Sequence, residues 1–459
     1  MYIELLCRPL FGGIMSYVSR RIAEVSAALG APPRVCALGL GKSTRELIGS
    51  IDGGISALGL SKDGEITEDE RAFMLSAAKT IGCPTRLPME DAELYLASPS
   101  VRRERLFLPS RAKVTSDAEL FFDYYKGKVF AVSGSEGKST VTTLISLLLG
   151  ENCPAVGNVG SPFCLHTDAI EVAAELSSFM LRYMKPHSHR AALTNVSENH
   201  LNWHEDMDEY LECKLGLLEN TDGAVLCLDD PILSAVAENA NPFAVYSIEK
   251  SHDELRRYGC ATVTLEGGFI TISGRRLVST LGFARRERHY LQNMLCAVAM
   301  TLGYCSDVDV IRVGESFRGL AHRGQRLTIG GIAYVDSSID TTPSRMAATL
   351  SSFGGRVRLL LGGRSKGAAI DGYSELIKAR CKAVAAYGEA AAEFSSALLK
   401  SGIDCRVFAE LDDALVYLED GAEAGDVILL SPGATSYDRY SSFEERGDHF
   451  LALASKKHL

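Results

Sequence analysis

The densest chemistry in the chain stands at residues 131–140, AVSGSEGKST. Gly134, Gly137, Lys138, Ser139 and Thr140 follow an apolar run, GKVFAVS, and precede an amphipathic one, VTTLISLLLG. That order predicts a strand, a glycine loop and a helix. Backbone N–H groups at such a helix start point at an anion, and glycine lets the chain pass close to it. Lys138 adds a cation for the outer phosphates of a nucleotide, and a hydroxyl from Ser139 or Thr140 can ligand Mg²⁺. The usual pattern places its first glycine where this chain has Val132, so the loop is a shortened variant that begins at Gly134.

Other residues gain meaning from their position after apolar runs. GLGKS at 39–43 is either a tight turn or a second phosphate contact, and Lys42 carries no catalytic expectation. Glu175, in AAELSSF, ends an apolar strand. An acid there either caps the next turn or reaches a metal at the carboxyl edge of a parallel sheet. His200, in TNVSENHLNWH, lies just beyond another strand. Alone it reads as a structural histidine. Beside Glu175 and a phosphate loop it also reads as a ligand, since Mg²⁺ on phosphates takes few protein groups. Nothing local marks Lys214 in YLECKLGLL. Arg323, in GLAHRGQRL, is either a salt-bridge partner or a mobile clamp that meets phosphate on domain closure. LLLGGRSKG with Lys366 and LLSPGATSYDRYSSFEERG with Ser436 are glycine-bearing loops after strands. Lysine, serine and backbone amides suit a small carboxylate ligand; ordinary loop chemistry accounts for either loop equally well.

Positioning these groups needs more than one domain, for 459 residues exceed an ordinary single core. Apolar strands alternate with helical stretches, which predicts an α/β protein with parallel sheets. Three blocks emerge, 1–123, 124–317 and 318–459. The first holds RVCALGLGKST and ends in RRERLFLPSRAK. The second holds the strands IEVAAELS, RAALTNVS and GAVLCLDD and a helix around HYLQNMLCAVAMTLGYC. The third shows four strands, VRLLLGG, AVAAYGE, DCRVFAE and DVILLSPG. A net charge of −10 with no basic block argues against a nucleic-acid partner. Twelve scattered cysteines without a CxxC pair fit reduced thiols better than a disulfide framework or a zinc site. No signal-peptide order and no membrane-length run is present, so a cytoplasmic protein without membrane insertion is expected.

The order of these stretches resembles the Mur ligase family from about residue 34 onward. SGSEGKST is similar to its phosphate loop, AVGNVGSPF to its asparagine-glycine loop, AELSSF to its glutamate motif, NVSENHLNWH to its histidine motif and YLECK to the lysine that follows. GLAHR resembles the hinge motif, and GGRSKG with SPGATSYDRYSSFEERGDHF is most similar to the D-glutamate-adding member. The resemblance implies an N-terminal Rossmann-like domain for a UDP-linked substrate, a central P-loop ATPase-like domain and a C-terminal Rossmann-like domain for an amino acid. It implies ATP-dependent amide ligation through an acyl phosphate in peptidoglycan synthesis, with ATP and Mg²⁺ as cofactors. UDP-N-acetylmuramoyl-L-alanine and D-glutamate would be the substrates of a monomer.

The resemblance also implies roles. Lys138, His200 and Lys214 would be catalytic. Gly134, Gly137, Lys138, Ser139, Thr140, Asn293 and Arg323 would hold ATP. Ser139, Glu175, His200 and a carbamylated Lys214 would serve magnesium. Asn158 would contact the acceptor, and Thr341, Lys366, Ser436, Tyr437 and Phe443 the amino acid. A sister ligase for another amino acid, a folate-type polyglutamate ligase and a nucleotide-binding protein that has lost ligation are the alternatives. The chain departs from the family at Tyr290, where an asparagine is usual, at Cys227, at Met180 and at Ile339, and residues 1–33 have no counterpart. The first block also lacks the usual acidic-arginine pair.

Overall fold

The computed structural model describes residues 17–31, 33–39, 42–49, 92–105, 110, 112–201, 203–365 and 369–456. Lys366 lies outside them. The chain divides into two compact units, Met1–Ser316 and Phe317–Leu459.

Among its described residues the first unit holds two sheets. The smaller is parallel, in the order β1 (Val35–Leu38), β2 (Leu94–Ala97), β3 (Lys113–Thr115). β1 and β2 are buried at every residue, as strands covered on both faces must be. Gly39 leaves β1 at φ +75°, and a Cβ there would stand 3.0 Å from that of Ser98, so the loop after β2 can approach only a glycine.

The larger sheet contains β4 (Lys128–Ser133), β5 (Ala155–Gly157), β6 (Glu171–Glu175), β7 (Arg190–Leu193), β8 (Ala224–Cys227), β9 (Ala244–Ser247), β10 (Ala261–Glu266), β11 (Phe269–Ile272) and β12 (Arg275–Ser279). Their order is β12-β11-β10-β9-β8-β7-β4-β6-β5. The chain leaves β4 for β5 and β6 on one side, then crosses to β7 on the other. Such a reversal opens a crevice at the carboxyl ends of the strands. Register makes those ends level, with Val132 opposite Glu175 and Ser133 opposite Leu193. The helix Lys138–Leu149 buries Val141, Leu144, Ile145 and Leu148, a stripe at helical spacing, and packs against the helix Arg288–Met300. β10 still pairs parallel with β9, and the last two strands depart from the expected parallel pattern, β11 and β12 each running antiparallel to the strand before. β10 turns back into β11 through Gly267-Gly268, both at positive φ, which is the geometry of a two-residue hairpin.

The second unit is one sheet, β13 (Gln325–Ile329), β14 (Ile332–Asp336), β15 (Val357–Gly362), β16 (Cys381–Tyr387), β17 (Cys405–Phe408) and β18 (Val427–Gly433), in the order β13-β14-β18-β15-β16-β17. The four expected strands are β15 to β18. The reading missed the antiparallel hairpin β13–β14, turned at Gly330-Gly331. Leu359 and Leu361 enter the core on one face, and Leu360 the core on the other. A strand buried on both faces shows a continuous apolar run instead of alternation.

Candidate active site

The ends of β4 and β7 build the phosphate loop, backed by two helices. Gly134 (φ +137°) leaves β4 against Thr194, where a Cβ would meet Oγ1 at 2.0 Å. Gly137 (φ +78°) caps the helix, and a Cβ on it would lie 2.4 Å from the Asn293 amide oxygen. Both positions therefore require glycine for space as well as for backbone angle. The segment after β7 fixes the loop: the Ser135 and Glu136 amides donate to Asn195, at 2.9 Å each, and Thr194 Oγ1 donates to the Glu136 carbonyl at 2.5 Å. Ser135 Oγ lies 2.8 Å from the hydroxyl of Tyr210. Ser139 is buried on the first turn and Thr140 half-buried beside it. The Lys138 amine donates back to the Ser135 carbonyl at 2.8 Å, folded over the loop.

Glu175 ends β6 with 1% of its surface exposed. One carboxylate oxygen accepts the Asn158 side-chain amide at 2.7 Å; the other, also buried, bonds to no described residue. A buried carboxylate oxygen without a partner is costly unless something else satisfies it. Lys214 sits on the helix Met207–Glu219, equally buried, and donates to the Gly134 carbonyl at 2.5 Å. Burial first, and the positive charge of Lys138 second, push its amine well below the ordinary lysine range, with Glu175 opposing. The amine is thus biased towards its neutral, nucleophilic form.

His200 is exposed on the loop after β7, its backbone left-handed at φ +57° and its ring 5.0 Å from that of Phe179. The glutamate motif and the histidine loop therefore touch through Phe179. Asn158, Glu175, Lys214, Asn293 and the phosphate loop come together in this unit. Tyr290 is buried in the helix Arg288–Met300, while Gln292, two residues on, donates to Asp229 at 3.2 Å and to the Cys227 sulfur at 3.1 Å.

The second unit gathers another set at the carboxyl ends of β14 and β18. Thr341 follows Asp340, whose carboxylate accepts Ser431 Oγ at 2.7 Å and whose carbonyl accepts the Gly433 amide at 2.9 Å. Ser436 is buried after β18, Tyr437 exposed beside it, and Phe443 opens the last helix with its ring 6.3 Å from His322. Arg323 is exposed in the same unit. Beneath these lies Arg446, fully buried. It donates to Ser338 Oγ and the Ser338 carbonyl at 2.8 Å each, and to the carbonyls of Ala434 (3.1 Å) and Gly362 (3.4 Å). His322 pairs with buried Asp336 at 2.7 Å, which raises its basicity. Sequence reasoning missed Arg446, His322, Asp336 and Tyr210. Tyr210 had a signal, four residues before Lys214 on one helix face; Arg446 had the same kind of spacing from Phe443.

The family described as Mur ligase middle domain matches residues 132–301, and the Mur ligase glutamate ligase domain matches 322–433. The UDP-N-acetylmuramoylalanine--D-glutamate ligase of Ruminiclostridium cellulolyticum is 31% identical over 75% of this chain and 78% of its own. The ligase of the same name from Clostridium perfringens is 29% identical over 92% of this chain and 96% of its own. The crystal structure of the UDP-N-acetylmuramate-alanine ligase of Thermotoga maritima covers 93% of this chain and 100% of its own at a TM-score of 0.55 and 16% identity, a likeness of fold. The family matches run from the strand under the phosphate loop to the last strand of the third sheet, and the chain belongs to the Mur ligase family.

Proposed function

We propose that this chain is the ATP-dependent ligase that joins D-glutamate to UDP-N-acetylmuramoyl-L-alanine. What carries the reading is similarity to ligases of that name over most of the chain together with a phosphate loop flanked by Glu175 and Lys214. The three sheets, in chain order, would serve the nucleotide-linked acceptor (1–123), ATP (124–317) and the amino acid (318–459).

The acceptor carboxylate attacks the γ-phosphorus of ATP, ADP leaves, and an acyl phosphate forms. The amine of D-glutamate then attacks the acyl carbon, phosphate departs with the C–O bond pair, and the amine loses a proton as the amide forms. Gly134, Gly137 and the first amides of the helix would cradle the phosphates, with Asn293 against Gly137. Lys138 would place its charge on the outer phosphates, and Arg323 would join them. Asn158 would contact the acceptor as well as orient Glu175. Thr341, Lys366, Ser436, Tyr437 and Phe443 would receive the amino acid.

The donor set fits a hard divalent cation, since Glu175 keeps one buried oxygen with no partner among the described residues and Ser139 stands in the first turn of the helix. Ser139, Glu175, His200 and Lys214 would hold Mg²⁺, which when bound offsets charge on the phosphates. A neutral Lys214 amine can add to CO₂ and release a proton, turning a cation into a carboxylate-like ligand. The reaction would run in the cytoplasm, where ATP and the UDP-linked precursor are found, on a monomer.

The test is phosphate release from purified protein with ATP, Mg²⁺ and UDP-N-acetylmuramoyl-L-alanine, supplied with D-glutamate, L-glutamate, glycine or no amino acid. Release that needs both acceptor and D-glutamate is expected. Release with a different amino acid moves the specificity to a sister ligase. Retained ATP binding without release overturns ligation altogether.

A further inference from the structure

Arg102 lies just beyond β2, at the carboxyl edge of the first sheet, where parallel sheets take their ligands. Its side chain is only 6% exposed, and the guanidinium is spent on the histidine loop of the neighbouring sheet. Nη1 donates to the Trp203 carbonyl at 2.7 Å and to Glu209 at 3.1 Å; Nη2 donates to Glu205 at 3.1 Å and to the other Glu209 oxygen at 3.4 Å. The same group lies over the Trp203 ring, 4.9 Å from its centroid. Trp203 answers in both directions. Its indole N–H donates to the Ser100 carbonyl at 2.8 Å, and its amide donates to the His200 carbonyl at 2.9 Å.

Glu209 stands in the first turn of the helix that carries Lys214. It also pairs with Arg182 at 3.0 Å and with His204 at 3.2 Å, and His204 reaches Ser178, three residues past Glu175, at 2.9 Å. One guanidinium therefore ties the first sheet to the His200 loop and to the Lys214 helix at once. His200 needs such a hold, because a left-handed non-glycine backbone persists only where its surroundings fix it. A plain salt bridge between sheets would explain the ion pair with Glu209 alone. It does not explain the stacking, the fork on both carboxylate oxygens and the carbonyl contact together, which an ammonium cannot reproduce.

We propose that Arg102 is a positioning residue that passes occupancy of the acceptor edge on to His200 and Lys214 through Trp203 and Glu209. This rests on the reading that the first sheet takes the nucleotide-linked acceptor. Trp203 is the chain's one tryptophan, so its emission reports the contact directly.

The experiment compares wild type with Arg102→Lys, using UDP-N-acetylmuramoyl-L-alanine as the probe. In wild type the probe should change Trp203 emission; in Arg102→Lys the change should be lost. The kcat for phosphate release should fall about 10- to 100-fold, the scale of a misplaced reacting group, with KM for ATP unchanged. An unaltered kcat, or an emission response that survives the substitution, overturns the proposal. If Arg102→Lys does not fold, judged by circular dichroism, Trp203→Phe is read in its place; a lowered kcat with KM for ATP intact supports the relay, and wild-type kcat overturns it. If wild type releases no phosphate yet its emission response to the probe is lost in Arg102→Lys, the relay stands and the ligase reading falls.

Discussion

Two places in this molecule bury a carboxylate near a lysine, and they resolve the same electrostatic problem in opposite ways. At the amino end of β18, fully buried Asp426 meets Lys382 Nζ at 2.8 Å, an Arg356 nitrogen at 2.8 Å and Arg358 Nε at 3.3 Å. Burial opposes its charge, but the Lys382 ammonium, the Glu423 amide and the Arg358 guanidinium prevail and hold it at about 2. Every valence is closed. At the carboxyl ends of β4 and β6, Glu175 keeps a buried oxygen with no partner among the described residues, and Lys214 bonds to a backbone carbonyl instead of to a carboxylate. Closed charges stabilise a fold. On the proposed reading, groups left open in a crevice are those that take a ligand, at a cost in stability.

The contrast makes opposite forecasts. Lys214→Met should lower phosphate release by at least about 1000-fold, while the melting temperature holds or rises, because an apolar side chain replaces a buried polar one. A marked loss of thermal stability in that variant would place Lys214 with the structural lysines. Asp426→Asn should do the reverse, lowering Tm by about 5 °C at pH 7 with kcat unchanged. The folded carboxyl lies below its ordinary 3.8, so the stabilisation is complete above that value and fades as pH falls towards 2. Melting curves of wild type and Asp426→Asn should therefore converge in strong acid, and a constant gap would refute the pairing. The smallest effect is expected at the edge of the open site. Tyr210→Phe removes one hydrogen bond to Ser135, worth about 1 kcal/mol, and should weaken ATP binding about fivefold in a titration; unchanged affinity would mean that Asn195 and Thr194 hold the loop without it.

Much of the open site was legible before any fold was known. AVSGSEGKST announces its strand, loop and helix because glycine, lysine and hydroxyl residues at that spacing have few other uses. Glu175 was visible as an acid at the end of an apolar run. Lys214 and Asn293 were not visible locally, since each is an ordinary helix residue until packing places it against Gly134 or Gly137. The hairpins β10–β11, β11–β12 and β13–β14 lie outside that reading, although Gly267-Gly268, Gly274 and Gly330-Gly331 mark their turns. Alternation with helices elsewhere in the chain outweighed those short signals.

The sequence by itself determined the α/β class, the phosphate loop, the acid and histidine after apolar strands and the family likeness, because each is a short local pattern or the order in which such patterns follow one another along the chain. Only the tertiary structure decided which of these meet. It set Val132 level with Glu175, carried Asn293 to Gly137 across 156 residues of chain, buried Lys214 until its charge became unfavourable, and drew Arg102 onto Glu209. Burial and strand register are properties of the whole packed sheet, and no local pattern carries them.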